Sequence, residues 1–137
     1  MPQTASKNAR AVQRQTARPR IVSVEDDEDV QEVLRTWLSR DYDLVVLPHG
    51  EDLIDEVQLL QPDLVMLDIG LPGPDGLLLC QRLRRLSRLA TVPILIFSGR
   101  QDDEAFLSSV QAGASSFLLK PVTKEELLGR LSELLER

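Results

Sequence analysis

Apolar and polar positions follow two rhythms along this chain. Five short apolar runs stand out after Pro19: IVSV (21–24), LVVL (44–47), LVML (64–67), ILIF (94–97) and FLL (117–119). After each run the apolar residues recur every three or four positions. Val30, Val33, Leu34, Trp37 and Leu38 follow the first run, and Leu53, Ile54, Val57 and Leu60 the second. Leu79, Leu83 and Leu86 follow the third, Leu107 and Val110 the fourth, and Leu127, Leu128, Leu131, Leu134 and Leu135 the fifth. Short continuous runs read as buried strands, and the three-four spacing reads as one face of a helix. Five strand-then-helix units with no internal repeat predict an α/β domain, a parallel sheet doubly wound with helices on both faces. The caps fit this reading. Asp75 is placed to start the third helix and Gly113 to close the fourth, while Thr123 and Glu126 are spaced as a capping box for the fifth.

The 137 residues suffice for one domain with a core of its own. No apolar run approaches the roughly 20 residues of a membrane span. The N-terminus lacks the apolar middle of a signal peptide. The single cysteine, Cys80, excludes an internal disulfide, so a reducing, cytoplasmic setting is expected. The net charge of −6 is unevenly spread. Residues 1–20 carry Lys7, Arg10, Arg14, Arg18 and Arg20 and no acid, whereas the remainder holds 11 basic and 22 acidic residues. An acidic body of this kind is a poor nucleic-acid binder. Residues 1–19 are polar without periodicity and read as a disordered basic tail before a domain over 20–137. A solvated leader is the simplest use of that tail, with contact to an acidic partner or nucleic acid as the alternative.

In an open parallel sheet, ligands bind beyond the carboxyl ends of the strands. The first strand ends at Glu25, Asp26 and Asp27, the third at Asp68, the fourth at Ser98 and Gly99, and the fifth at Lys120 and Pro121. If these strands are neighbours, Glu25, Asp26 and Asp68 crowd together, and their mutual repulsion calls for a cation. An all-oxygen set without His or Cys suits a hard ion, best of all Mg²⁺. The glycines that follow Asp68 read GxxGxxG at Gly70, Gly73 and Gly76, which matches neither the dinucleotide loop GxGxxG nor GxxxxGK[ST]. A carboxylate at the mouth of an anion-binding loop would repel its ligand. Asp68 makes better sense as a nucleophile that accepts a phosphoryl group, with Lys120 and Ser98 holding the phosphoryl oxygens.

The four segments IVSVEDDEDV, LVMLDIGLPGPDG, ILIFSGR and AGASSFLLKP, in this order at strand ends, resemble the receiver domain of two-component response regulators. The resemblance covers residues 20–137 and implies a flavodoxin-like (βα)5 fold with strand order 2-1-3-4-5. It implies that Asp68 is the phosphoacceptor. It implies that Mg²⁺ is held by Asp26 directly, with help from Glu25, Asp68 and the backbone carbonyl of Gly70. It assigns Ser98 and Lys120 to the phosphoryl oxygens, and Gly99 to leaving room for the group. It makes the Lys120–Pro121 bond cis and Phe117 the aromatic switch that moves when Ser98 is drawn to the phosphate. Gly70 and Arg100 occupy positions that tune phosphoryl lifetime.

Phe117 lacks a tyrosine hydroxyl, Val122 stands where Phe is frequent, Ser115 and Ser116 replace an acidic pair, and Phe106 sits where a base is common. With only Glu126 and Arg130 left of the usual charges, the family's charged dimer is not expected, and a monomer or weak dimer is. The lone His49 reads as a loop residue, Trp37 and Cys80 as core, and Arg82, Arg84, Arg85 and Arg88 as a solvated basic face or a partner surface. The resemblance implies phosphorylation by a histidine kinase or histidine phosphotransfer protein. Output would pass through the face formed by the fourth helix, fifth strand and fifth helix, to a protein partner or onward as phosphate. Neither a DNA-binding domain nor a membrane contact is expected within this sequence. Catalysis is expected to be confined to the chain's own phosphorylation and dephosphorylation. One alternative is a receiver-fold interaction module that works without phosphate. Another is a phosphatase with an aspartyl intermediate, but the second acid such enzymes carry two residues past the nucleophile is here Gly70.

Overall fold

Each apolar run becomes a strand of one parallel sheet: β1 (Arg20–Val24), β2 (Asp43–Leu47), β3 (Leu64–Leu67), β4 (Ile94–Ser98) and β5 (Ser116–Leu119). The computed structural model describes residues 18–69, 76–99 and 103–136, with 103–105 as backbone. The sheet order is β2-β1-β3-β4-β5, the expected flavodoxin-like winding. The connecting helices are α1 (Glu28–Leu38), α2 (Leu53–Leu60), α3 (Gly76–Arg85), α4 (Asp103–Gln111) and α5 (Lys124–Leu135). Register decides what happens at the strand ends. Val24 pairs with Leu47 and with Leu67, Leu67 with Ile96, and Ser98 with Leu119. The strands therefore finish within two residues of one another, β4 and β5 reaching furthest, and whatever follows each of them emerges on one edge.

Alternate strand residues face opposite sides, so the sheet separates two cores. Val22, Val24, Val65, Leu67, Ile94 and Ile96 meet α2 and α3 through Leu53, Val57, Leu60, Leu79, Cys80 and Leu83. Ile21, Leu64, Met66, Leu95 and Phe97 meet α1 and α5 through Leu34, Leu38, Leu127, Leu131 and Leu134. Trp37 packs half-buried against this second core. The capping box of α5 forms as the sequence indicates. The Thr123 hydroxyl accepts from Glu126 N at 3.0 Å, while the Glu126 carboxylate accepts from Thr123 N at 2.8 Å. Asp27 caps α1 by accepting from the backbone N–H groups of Asp29 and Val30. Gly113 turns the chain after α4 with φ +100°, a conformation that side chains rarely adopt. The proposed cap Asp75 lies outside the described residues, as do residues 1–17 of the tail.

Two expectations about helix faces need correction. On α1 it is Gln31, not Val33, that lies inward with Leu34 and Leu38. On α4, Leu107 and Val110 are 57% and 56% exposed and do not face the sheet; Ser109 and Ala112 are the inward residues. Small residues on the inner line of α4 leave its large apolar ones, with Phe106, facing outward. Among the basic residues, Arg20 belongs to β1 and is fully buried. Its Nε donates to Asp43 at 2.8 Å, and one guanidinium nitrogen donates to the Leu60 carbonyl at the end of α2. Beside it, Arg18 donates to the Ser39 carbonyl and Pro19 accepts from Asp43 N.

Arg84 also departs from the solvated face expected of its cluster, although Arg82, Arg85 and Arg88 are exposed. Its guanidinium donates to the carbonyls of Gly113 (2.8 Å), Leu89 (2.9 Å) and Val92 (2.5 Å), and to the Ser115 hydroxyl (3.0 Å). That hydroxyl accepts in turn from Ile94 N at 3.0 Å. A side chain at Gly113 would strike Arg84 Cγ, so glycine and arginine fit together here. Burial lowers the Arg84 pKa from its ordinary value, and the neighbouring Cys80 thiol offsets this only in part. Removing the guanidinium strands several carbonyls at once. Arg84→Met is expected to lower stability by about 2–4 kcal/mol in urea unfolding, whereas Arg88→Met stays within about 0.5 kcal/mol.

Candidate phosphoryl-acceptor site

The shared carboxyl edge brings Glu25, Asp26, Asp68, Ser98 and Lys120 to one end of the sheet. The β1–α1 turn is held by four bonds. Glu25 N donates to Leu47 O at 3.0 Å, extending the β1–β2 ladder by one residue. Asp27 N donates to Glu25 Oε2 at 3.2 Å, and Gln31 N to Asp27 O at 2.9 Å. The buried Gln31 amide donates to Glu25 O at 2.6 Å. The result is a Glu25 carboxylate turned inward at 1% exposure and an Asp26 carboxylate left in solvent. Asp68 follows β3 directly and is half-buried. Gly76 is required behind it, because a Cβ there would collide with the Asp68 carbonyl and lie 2.8 Å from Ile69 Cα. Its missing side chain lets the first turn of α3 seat directly against the Asp68 peptide.

Lys120 comes from β5. Its backbone N donates to Ser98 O at 2.8 Å, and its bond to Pro121 is cis, as expected. Its ammonium lies 2.8 Å from Glu25 Oε1 and 3.0 Å from Asp68 Oδ2, with the Phe97 ring centroid 5.1 Å away. Ser98 is buried at the end of β4 beside the exposed Gly99, where a Cβ would meet nothing within 4 Å. Phe117 is half-buried and packs edge-to-face on Phe106, with ring centroids 6.0 Å apart at 67°. Arg130 donates to Ser116 Oγ at 2.6 Å and to Phe117 O at 3.3 Å, while Glu126 is engaged in its capping box. His49 is an exposed loop residue. Gly70 and Arg100 lie outside the described residues.

Carboxylate oxygens of Glu25, Asp26 and Asp68 lie within 4.8 Å of one another. Among the described residues, three acids face the Lys120 ammonium. The donors of this cluster are all oxygen, and Asp26 opens it to solvent. Such a set fits a hard divalent cation. Both Glu25 oxygens already accept bonds, from Lys120 and from Asp27 N, which suits Glu25 to an assisting position and Asp26 to a direct one. Burial raises the Glu25 pKa above its ordinary value, against the opposing pull of Lys120.

The sequence reading missed Gln31, Phe97 and Gly76 as supports. Gln31 carried a usable signal. It lies three residues before Leu34 and seven before Leu38, on the line that faces the sheet. Phe97 reads only as strand core, and Gly76 only as part of a glycine-rich turn.

The fold and site together define the class of domain: a flavodoxin-like sheet with an aspartate, a lysine, a hydroxyl and an acidic pair at its carboxyl edge. Residues 21–132 match the family model of the response regulator receiver domain, and the chain belongs to that family. The response regulator MprA of Mycolicibacterium vanbaalenii is 38% identical over 119 residues, which are 86% of this chain and 51% of that protein. The sensor histidine kinase TmoS of Ectopseudomonas mendocina is 31% identical over 132 residues, 96% of this chain and 14% of that protein. The chain thus spans about half of one relative and a small part of the other. The BeF3-activated N-terminal receiver domain of Klebsiella pneumoniae RstA is 37% identical with a TM-score of 0.79, covering 86% of this chain and 99% of that one.

Lys120 gives the site a pH signature. Burial alone would lower its pKa, but the bonds to Glu25 and Asp68 outweigh burial and hold it above the ordinary 10.5. Its stabilisation is complete below the unfolded pKa and drains away as pH rises through the folded one. Urea midpoints of the wild type are expected to fall above pH 10.5 more steeply than those of Lys120→Met. Parallel curves would show that the two ion pairs carry no net stability.

Proposed function

We propose that this receiver domain is phosphorylated on Asp68 by a histidine kinase or histidine phosphotransfer protein. The observation that carries the reading is Lys120 joined to both Glu25 and Asp68, with Asp26 beside them and Ser98 at the neighbouring strand end. An Asp68 carboxylate oxygen attacks phosphorus. The P–N bond of the donor phosphohistidine breaks, and its electron pair returns to the imidazole. Glu25, Asp26 and Asp68, with the Gly70 carbonyl, would hold Mg²⁺, which when bound neutralises charge on the transferred group. Lys120 exchanges its bond to the Asp68 carboxylate for one to a phosphoryl oxygen, and the Ser98 hydroxyl donates to another. Hydrolysis of the acyl phosphate by water resets the domain, and these two reactions on itself are its whole catalytic repertoire.

Drawing Ser98 toward the phosphoryl group shifts the packing of Phe117 and Phe106 and so biases α4, β5 and α5. Phe106, Leu107 and Val110 on α4, with Leu119 on β5, already present apolar surface on that face. It is the surface through which a protein partner reads the switch, or beside which phosphate is relayed. The domain acts in the cytoplasm as a monomer or weak dimer. No described helix is long and apolar enough to cross a membrane. Gly70 and Arg100, at the rim, set the phosphoryl lifetime.

Intact-mass analysis with acetyl phosphate tests this reading. One phosphoryl group is expected with Mg²⁺, none without it, and none in Asp68→Asn. A wild-type chain that binds neither phosphoryl nor beryllofluoride under these conditions would instead be a phosphate-independent interaction module.

A further inference from the structure

We propose that Gln31 is a positioning residue for the cation site. Through a buried bond to the Glu25 carbonyl, its amide fixes the peptide that presents Asp26. This inference rests on the reading of Glu25, Asp26 and Asp68 as a divalent-cation site.

The peptide in question joins Glu25 to Asp26. Its carbonyl oxygen has left the sheet, because Glu25 N makes the last ladder bond, to Leu47 O. The oxygen points toward α1, where the Gln31 amide meets it at 2.6 Å. Gln31 is itself nearly fully buried, one turn into α1 on the line of Leu34 and Leu38. A long polar side chain on a core-facing line forfeits hydration, so it needs its bond. That bond fixes the rotation of the Glu25–Asp26 peptide and hence the direction of the Asp26 side chain. Without it, Asp26 would depend on its neighbours' contacts alone, being in solvent itself. Gln31 touches neither a reacting atom nor the cation, and it acts only through the backbone between two ligand residues.

Outer supports of metal ligands typically contribute about tenfold or more to affinity. The test is isothermal calorimetry of the full chain with Mg²⁺ alone, together with urea unfolding of each variant. Gln31→Met keeps the length and removes the donor. It is expected to weaken Mg²⁺ binding by about tenfold, while phosphorylation by acetyl phosphate at saturating Mg²⁺ stays within about twofold of wild type. Leu34→Val loosens the same helix through its core contact but leaves the bond intact, and its Mg²⁺ affinity should match the wild type. If Gln31→Met does not fold, Gln31→Asn replaces it, because its amide stops one methylene short of the carbonyl. Unchanged affinity on loss of the donor overturns the proposal. So does an equal loss in Leu34→Val, which would reduce Gln31 to general helix support. A wild-type chain that binds no Mg²⁺ overturns the cation site itself, and the role of Gln31 with it.

Discussion

The Lys120 ammonium, set between the Glu25 and Asp68 carboxylates, is the contact on which the rest of the site depends. Two acids this close would drive each other toward protonation or apart. One cation between them offsets that repulsion in a partly buried place. Bringing it there is a demand on the whole sheet. Glu25 leaves β1, Asp68 leaves β3 and Lys120 leaves β5, so the ion pairs span four strands and form only if every register between them is right. The ladder bond from Lys120 N to Ser98 O sets the last of these registers, and the Phe97 ring lies close to the ammonium from the same strand pair. Fold and site are therefore coupled in one direction: a slipped strand would leave the core damaged and the acids unpaired together.

Much of this could be read from residues alone, because strands and ligands announce themselves differently. The apolar runs matched the strands to within one residue at either end, since continuous burial on both faces leaves little room for ambiguity. Asp68, Lys120 and Ser98 were legible because each polar group ends an apolar run abruptly. The choice of helix face was less so. Leu107 and Val110 keep helical spacing, yet they face solvent, because periodicity gives a stripe without saying which side the sheet lies on. Arg84 looked like one more charge in a basic cluster; its environment depends on carbonyls at Leu89, Val92 and Gly113, which no local pattern reveals. Arg20 was hidden in the same way by the charges that precede it, although its own position begins a strand.

The two faces of the sheet carry different duties. Under α1 and α5 the core is built from large side chains whose positions sequence spacing anticipates well. On the other face, the end of α4 is held by polar means. Arg84 grips the Gly113 carbonyl and the Ser115 hydroxyl, and the Cys80 thiol lies 3.4 Å from Ala112 O. The outward surface of that helix is left apolar. A helix fixed at its last turn by directional bonds, with few large side chains beneath it, is suited to small adjustments at its other end.

Gly76 lies against the Asp68 peptide and Gly99 follows Ser98, and the two meet different constraints. At position 76 any side chain would meet the Asp68 backbone, so variation there is screened by folding before chemistry is ever tried. At position 99 a methyl group would meet nothing within 4 Å, so folding sets no such limit there. A collection of variants at these two codons would thus sort itself. Survivors of a stability screen would be depleted at the first position and diverse at the second.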